Sequence, residues 1–463
     1  MILSQPILRA RDTIVASFSG QKLPSILAFT IILLASTQLG LHFWPDSTLV
    51  HGIRIDYLSP VIYFLDVLIL AYLVASRTLL NRNSRLQVEK GSPAGERRVL
   101  VGHLIGSLLP ILLINLIFSV NPLATLNWSL HFLLYLTFVL SLQFRSLPKR
   151  VIGTLSFLIT AGMAFQVVLA VLQVALGHTL QGPFYWLGER AISVATPNAA
   201  RAEVFGRVVL RAYGTFSHPN ILAGWLVVSL LILIMLRSQG LSLVAPRTLL
   251  NRNSRLQVEK GSPAGERRVL IGSLWFPLLL TVFGVALTHS RSAALTLFGI
   301  IIPFYILKNL RTRLMYFLGL LFVICYLLFT GTLGRPVDTS LTDRLHLQGV
   351  SSQVILTYPI FGTGANASIS TYPGVSPTTR LLQPDHNSLT LLLSWFGIFG
   401  ILALRTLLDR RHGQRPSWDS KAGRRVLVGL LPLLLFDHYL LTSPQGLLFI
   451  LIYFRLVLSQ LTH

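Results

Sequence analysis

Apolar runs of roughly twenty residues recur along almost the whole chain. A helix needs about that many residues to cross the hydrocarbon core of a bilayer. Inside that core every backbone N–H and C=O must be satisfied internally, which leaves helices or closed barrels. Twelve runs can be placed, over residues 23–43, 57–76, 99–120, 126–144, 151–177, 221–236, 269–289, 293–307, 314–330, 389–407, 426–441 and 446–461. Only 12% of the 463 residues are charged, about half the share in a soluble domain, and the mean hydropathy is +0.66. The reading is an all-α polytopic membrane protein of about 12 transmembrane helices, with residues 1–463 forming one integral-membrane domain. The first run is too long for a signal-peptide core and has no small-residue cleavage site after it, so it reads as a retained span. The single cysteine, Cys325, lies in an apolar run and excludes a disulfide framework.

The net charge of +23 raises the question of nucleic acid, and its distribution answers it. Lys and Arg accumulate in loops that stay on the cytoplasmic side, because short basic loops resist translocation. With the N-terminus inside and the runs taken in order, the inside segments hold three basic residues before the first run. They hold six in 77–98, three in 145–150, seven in 237–268, three in 308–313 and seven in 405–425. The outside loops keep Arg54, Arg190, Arg201, Arg207, Arg211, Arg291, Arg335, Arg344 and Arg380. Both termini are therefore expected in the cytoplasm. The charge marks topology, with attraction to anionic membrane lipids as a further consequence, and no nucleic-acid partner is expected.

An internal repeat falls in the same inside loops. Residues 77–100 (RTLLNRNSRLQVEKGSPAGERRVL) are identical to 247–270, and a looser third copy spans 405–429. The flanking runs do not repeat, unlike the inverted repeats of secondary transporters. Two readings stand: a basic connector that holds helix ends at one face, or a docking site for a partner.

Two loops assigned to the outside are long and polar. Residues 178–220 end in RAYGTFSHPN, and residues 333–387 end in Asp385-His386-Asn387. Loops of this length are commonly functional. The second contains an amphipathic segment, 340–357, and reads as partly helical, an ordered lid over a membrane site. Thr288-His289-Ser290-Arg291-Ser292 interrupts the apolar pattern between the seventh and eighth runs.

These stretches hold the residues able to do chemistry. Arginine presents a fixed fork of donors that can bind phosphate oxygens bidentately, so Arg211 and Arg291 are candidates for an anion site that would suit a diphosphate. Snorkelling to headgroups is the competing reading for Arg291, and a loop ion pair with Glu203 or Glu189 for Arg211. His386 is the candidate general base, since imidazole titrates near neutrality. Against it stands a simple capping role for His386 and Asn387, asparagine being a favoured N-cap. His218 and His289 are rival bases or hydrogen-bonded interfacial residues. Asn220, Asp437 and His438 are possible supporting residues, with Asp437-His438 placed to border the same cavity. Asp66 is a candidate because ionisable residues at membrane depth tend to be functional, although a proton relay needs partners the sequence does not reveal. Ile360-Phe361-Gly362-Thr363-Gly364 lacks the context of a nucleotide loop and reads as a turn. No HExxH motif or paired carboxylates suggest a metal site.

The segments 211–223 (RAYGTFSHPNILA), Ser290-Arg291-Ser292, 358–364 (YPIFGTG), His386-Asn387 with Gly397 and Gly400, and 437–446 (DHYLLTSPQG) together resemble the O-antigen ligase family. That family lies within a superfamily that also holds O-antigen polymerases and bacterial protein O-oligosaccharyltransferases. The resemblance implies transfer of a glycan from an undecaprenyl-diphosphate carrier to a lipid, glycan or protein acceptor. It places the reaction at the outer (periplasmic) face of the inner membrane, without a metal or other cofactor. It also implies that Arg211 and Arg291 hold the diphosphate and that His386 is the base. One departure is plain: where an acidic residue often precedes the first glycine of the following span, this chain has Ser394-Trp395-Phe396-Gly397. A transporter or flippase for lipid-linked glycan is the reading from a different class. It requires charges along the middle of the spans, whereas the candidates here cluster at loops.

Overall fold

The computed structural model describes residues 22–83, 106–142, 147–204, 206–242, 263–306, 312, 314, 315, 317, 339–410 and 421–461. Most of the expected span 314–330, most of both copies of the repeat and the centre of its third copy lie outside the described residues. The chain is mostly helical. Three helices are long and apolar enough to cross a bilayer: 122–141, 149–176 and 219–237. Seven shorter apolar helices accompany them, so twelve full spans are not reached among the described residues. The all-α expectation is corrected in one respect: three short two-stranded antiparallel ribbons stand in the loops.

In order, α1 is Lys22–Leu34, β1 Gly40–His42, β2 Leu49–Val50, β3 Ile53–Arg54, β4 Val61–Tyr63 and α2 Phe64–Asn83. Next come α3 (106–117), α4 (Pro122–Ser141), α5 (Lys149–Leu176), β5 (Arg201–Val204), β6 (Arg207–Leu210), α6 (Pro219–Ser242) and α7 (Pro263–Thr288). Then α8 (Arg291–Ala294) runs into a wide π-type turn, Leu295–Ile306. The chain ends with α9 (Thr339–Thr357), α10 (Ser388–Arg410), α11 (Lys421–Phe436), α12 (Tyr439–Thr442) and α13 (Pro444–Leu461).

The core is built round α6. A helix apolar on every side belongs in the interior, and 94% of the spanning window of α6 is buried. It packs against α5, α7 and α13, with Leu222, Leu226, Leu230 and Leu233 fully enclosed. The first expected span is a shorter helix than hydropathy suggested, and the second helix starts later than its run, at Phe64. Thr37 turns its N–H (2.9 Å) and hydroxyl (2.7 Å) back onto Leu34 O, which closes α1. The apolar run continues because its remainder pairs as β1 with β4, Gly40 opposite Tyr63 and His42 opposite Val61. Hydropathy alone cannot separate a spanning helix from an apolar ribbon joined to one.

Asp66 anchors the start of α2. Its carboxylate accepts from Tyr63 N (2.7 Å), His131 Nε2 (2.9 Å) and Tyr135 Oη (2.8 Å), and so ties α2 to α4. These are the partners that the sequence could not reveal. They make Asp66 a joint between helices and the ribbon.

The amphipathic segment 340–357 is indeed helical, as α9. The turn that follows it is built into α10. At Gly397 the helix is broken (φ 59°, ψ −170°), and the peptide groups freed by the break bond to residues 359–364. Ile398 N donates to Pro359 O (2.9 Å), Phe399 N to Ile360 O (3.0 Å), Thr363 N to Ser394 O (2.8 Å) and Gly364 N to Trp395 O (3.0 Å). From α3, Asn115 donates to Trp395 O (2.8 Å) and accepts from Ala365 N (2.8 Å). Irregular backbone at membrane depth is tolerated where it is buried in protein and fully bonded. A Cβ on Gly397 would lie 2.3 Å from Ile360 O. Gly397→Ala is therefore expected to destabilise the protein by about 1–3 kcal/mol or more, from the left-handed backbone and the clash together. The check is a fall in the thermal midpoint of the detergent-purified protein, against no fall for Gly349→Ala, where a Cβ meets open space within helix α9 and alanine is the better helix former.

Candidate functional site

The two long loops and the break between α11 and α12 meet at one end of the bundle, and a single carboxylate joins them. Asp437 follows the last turn of α11, where its N–H still donates to Leu433 O (3.0 Å). Its carbonyl accepts from Ser388 Oγ at the start of α10 (2.7 Å). The side chain is 1% exposed. Its Oδ1 accepts from Asn220 Nδ2 (3.3 Å) and lies 3.4 Å from His386 Nδ1 and 3.9 Å from an Arg344 guanidinium nitrogen. Its Oδ2 accepts from Ser292 Oγ. A buried carboxylate is tolerated only with partners of this kind. The partners come from α6, α8, α9 and the approach to α10.

Arg211 reaches the carboxylate through one intermediary. Its Nε donates to Thr288 O (2.7 Å) and an Nη to Asn220 Oδ1 (2.7 Å), and the Asn220 amide passes on to Asp437. The loop ion-pair reading with Glu189 does not describe this residue, because Glu189 accepts from Gln173 Nε2 (2.7 Å) and two loop N–H groups. Burial holds the Arg211 pKa below its ordinary value. Tyr213 and Asp437 act in the opposite direction, and the charges of Arg344 and Arg291 add to the lowering. Arg291 is exposed at the first position of α8, one residue before the serine that grips Asp437.

The histidines divide by environment. His386 Nδ1 is buried without a hydrogen-bond partner, and it faces Asp437. Catalytic hydrogen bonds are often long in the free protein and tighten with substrate. With Nδ1 turned to the carboxylate, Nε2 is the nitrogen left to take a proton. The His438 ring lies tilted 5.1 Å from the His386 ring, makes a T-shaped contact with Tyr57 and bonds Thr442 through Nδ1 (2.8 Å). His218 accepts from Asn220 N through Nδ1 (3.1 Å). Burial first, then the charge of Arg211, pushes the His218 pKa down to about 3. It is neutral at physiological pH and a weak base, which removes it as a rival to His386. His289 is exposed at the rim, with a positive φ of 50°.

Asn387 caps α10, its Oδ1 accepting from Leu389 N (2.9 Å) and Thr390 N (3.3 Å). Asp385 accepts from Asn387 N (3.1 Å) and Thr390 Oγ1. The acid next to His386 in sequence therefore serves the cap, and the acid that faces the imidazole is Asp437. Among the described residues no group of three or more His, Cys, Asp or Glu side chains is arranged to hold a metal ion.

Residues 276–404 match the O-antigen ligase family. The resemblance read from the sequence is borne out over that stretch, which contains Arg291, Arg344 and His386. Arg211, Asn220 and Asp437 lie outside it and are joined to it by the contacts above. No curated protein and no solved structure matches the chain. The family match over that stretch and the apolar helices point to an integral membrane protein, and the match supports an enzymatic role of the glycosyltransferase kind.

Sequence reasoning missed Arg344, which it counted only as an outside basic residue. On α9 it donates to Phe436 O (3.0 Å) and fastens the second long loop to the α11–α12 break. Its place on an amphipathic helix was the available signal. Ser292 and Ser388 were missed too, because a serine bond to a distant acid leaves no local pattern.

Two outcomes test this geometry. Asp437→Asn keeps the shape and removes the one negative charge among Arg344, His386 and Arg211, so stability should fall by about 3 kcal/mol, read as a lower thermal midpoint. His218 binds fewer protons folded than unfolded. Its contribution is complete above pH 6.5 and is lost as pH falls from 6.5 towards 3, by about 1.4 kcal/mol per pH unit. Thermal midpoints at pH 7 and pH 5 should therefore differ less in His218→Gln than in the unaltered protein.

Proposed function

We propose that this protein transfers a glycan from an undecaprenyl-diphosphate carrier to an acceptor hydroxyl. On this reading the reaction takes place at the outer face of the cytoplasmic membrane, with both chain termini inside. The observation that carries the reading is the junction at Asp437, which gathers a base on one loop and an arginine on the other beside the family-matched segment. The acceptor O–H gives its proton to His386 Nε2 as its oxygen forms a bond to the anomeric carbon. The bond from that carbon to the diphosphate oxygen breaks on the opposite side, and the configuration inverts. Asp437 balances the imidazolium that forms. Arg211 and Arg291 receive the charge that develops on the departing diphosphate, and fixed donors aimed at such charge are a major source of rate. The loop 333–387 is the lid that delivers His386, with Arg344 as its fastening. Asn220, His218 and His438 support the site, and Asn387 keeps its capping role.

The acceptor divides a ligase from a polymerase or a protein O-glycosylating enzyme. Purified protein given a lipid-linked glycan with candidate lipid, glycan and protein acceptors would show by mass which one is extended. His386→Ala and Arg291→Ala are each expected to lower transfer by at least about a hundredfold with membrane insertion intact. Activity at the unaltered level in both variants would refute the assignment.

A further inference from the structure

Arg211 is only as well placed as the turn that follows it, and that turn is held from inside the bundle. Helix α5 carries Gln166 and Gln173 two turns apart, on one face, and both are fully buried. Gln173 Oε1 accepts from Tyr213 N (3.0 Å) and Gly214 N (2.8 Å), while its Nε2 donates to Gly214 O (2.8 Å) and Glu189 Oε1 (2.7 Å). Gln166 Oε1 accepts from Thr215 N (3.1 Å), and its Nε2 donates to Thr215 Oγ1 (2.8 Å) and Ser36 O (3.3 Å). Gly214 takes φ +58°, and a Cβ there would lie 2.3 Å from Gln166 Oε1. The turn therefore fits against two amides and admits no side chain at that point.

An amide can be turned end for end, so something must decide which end meets the turn. A carboxylate only accepts. Glu189 is 1% exposed. It is anchored in the loop 178–220 by the N–H groups of Leu180 and Gln181. It therefore reinforces the orientation that the turn itself requires, with Gln173 Nε2 facing Glu189 and Gly214 O, and Oε1 facing the two N–H groups beside Arg211. We propose that Gln173, oriented by Glu189, is the positioning residue for Arg211, so that order in the first long loop is converted into affinity for the donor diphosphate. This rests on the reading of Arg211 as a diphosphate ligand.

The test uses the full-length protein and a polyprenyl-diphosphate-linked oligosaccharide. Gln173→Glu sets two carboxylates against each other, and Glu189→Gln removes the acceptor that fixes the amide. Each single variant should raise donor KM about tenfold, equivalent to about 1.4 kcal/mol, with little change in kcat. The double variant Gln173→Glu/Glu189→Gln restores a donor–acceptor pair between positions 173 and 189 in reversed polarity, while Gly214 O loses its donor and Leu180 N its acceptor. It should therefore lower donor KM below that of Gln173→Glu without returning it to the unaltered value. A merely structural role would lower the thermal midpoint and the active fraction, leave KM unmoved and show no rescue. Unaltered KM in both single variants, or a double variant no better than Gln173→Glu, overturns the proposal. If Gln173→Glu fails to fold, Glu189→Gln decides alone: a raised donor KM with an unaltered thermal midpoint supports the relay, and an unaltered KM overturns it. Arg211→Ala separates the two levels. A donor KM indifferent to Arg211→Ala removes the diphosphate reading itself, whereas a raised KM there with unaltered Gln173→Glu removes only the relay.

Discussion

A carboxylate withdrawn from water has to be surrounded by donors or cations, and in this protein that demand organises one whole end of the bundle. Asp437 sits in a two-residue break between α11 and α12, where the backbone offers it no helical neighbours to lean on. The donors that satisfy it arrive on Asn220, Ser292, Arg344 and His386, from elements far apart in the chain. Because each partner is itself fixed, by a helix start in three cases and by α9 in the fourth, meeting the demands of one oxygen pair sets the relative placement of four elements. A second buried carboxylate, Asp66, does the same for α2, α4 and the β1–β4 ribbon. The two differ in kind. The groups round Asp66 are all bonded into a closed set, whereas His386 Nδ1 still has a bond to complete. A buried polar atom left without a partner in a native structure calls for an explanation, and the proposed role of His386 as a base supplies one.

Much of the helical framework was legible because long apolar runs permit little else. Helices α4, α5 and α6 fall close to the expected runs. The amphipathic pattern of α9 and the cap at Asn387 were legible for similar reasons, since both are written within a few residues. The first run was misjudged in length and the second in position, as an apolar ribbon joined to a helix has the hydropathy of a longer helix. Gly397 stood out by its type, but a helix break cannot be inferred from one glycine when the groups that satisfy it sit on a turn more than thirty residues earlier.

The candidate site was legible by residue type and illegible by pairing. His386 and Arg211 could be singled out as chemistry-bearing residues in loops, and Asp437 as an ionisable residue near the end of an apolar run. Nothing local could say that His386 would meet Asp437 instead of its neighbour Asp385, or that Asn220 would carry the link to Arg211. Such pairings belong to the packing of α6, α10 and α11, and packing is decided by the whole set of helices together. Arg344 was hidden by the same fact: a charge on an exposed-looking helix becomes a fastening only when the opposite surface is known.

The broken helix also has a mechanical consequence. Residues 359–364 are sewn to residues 394–399 by backbone hydrogen bonds in both directions, which turns the chain between them into a closed ring. His386 lies on that ring. Any outward swing of the long loop must then carry the ring as one piece or tear several buried hydrogen bonds, so freedom of movement is left to the side of α9 that precedes it. The histidine is thereby tied to α10 by the same bonds that hold the turn.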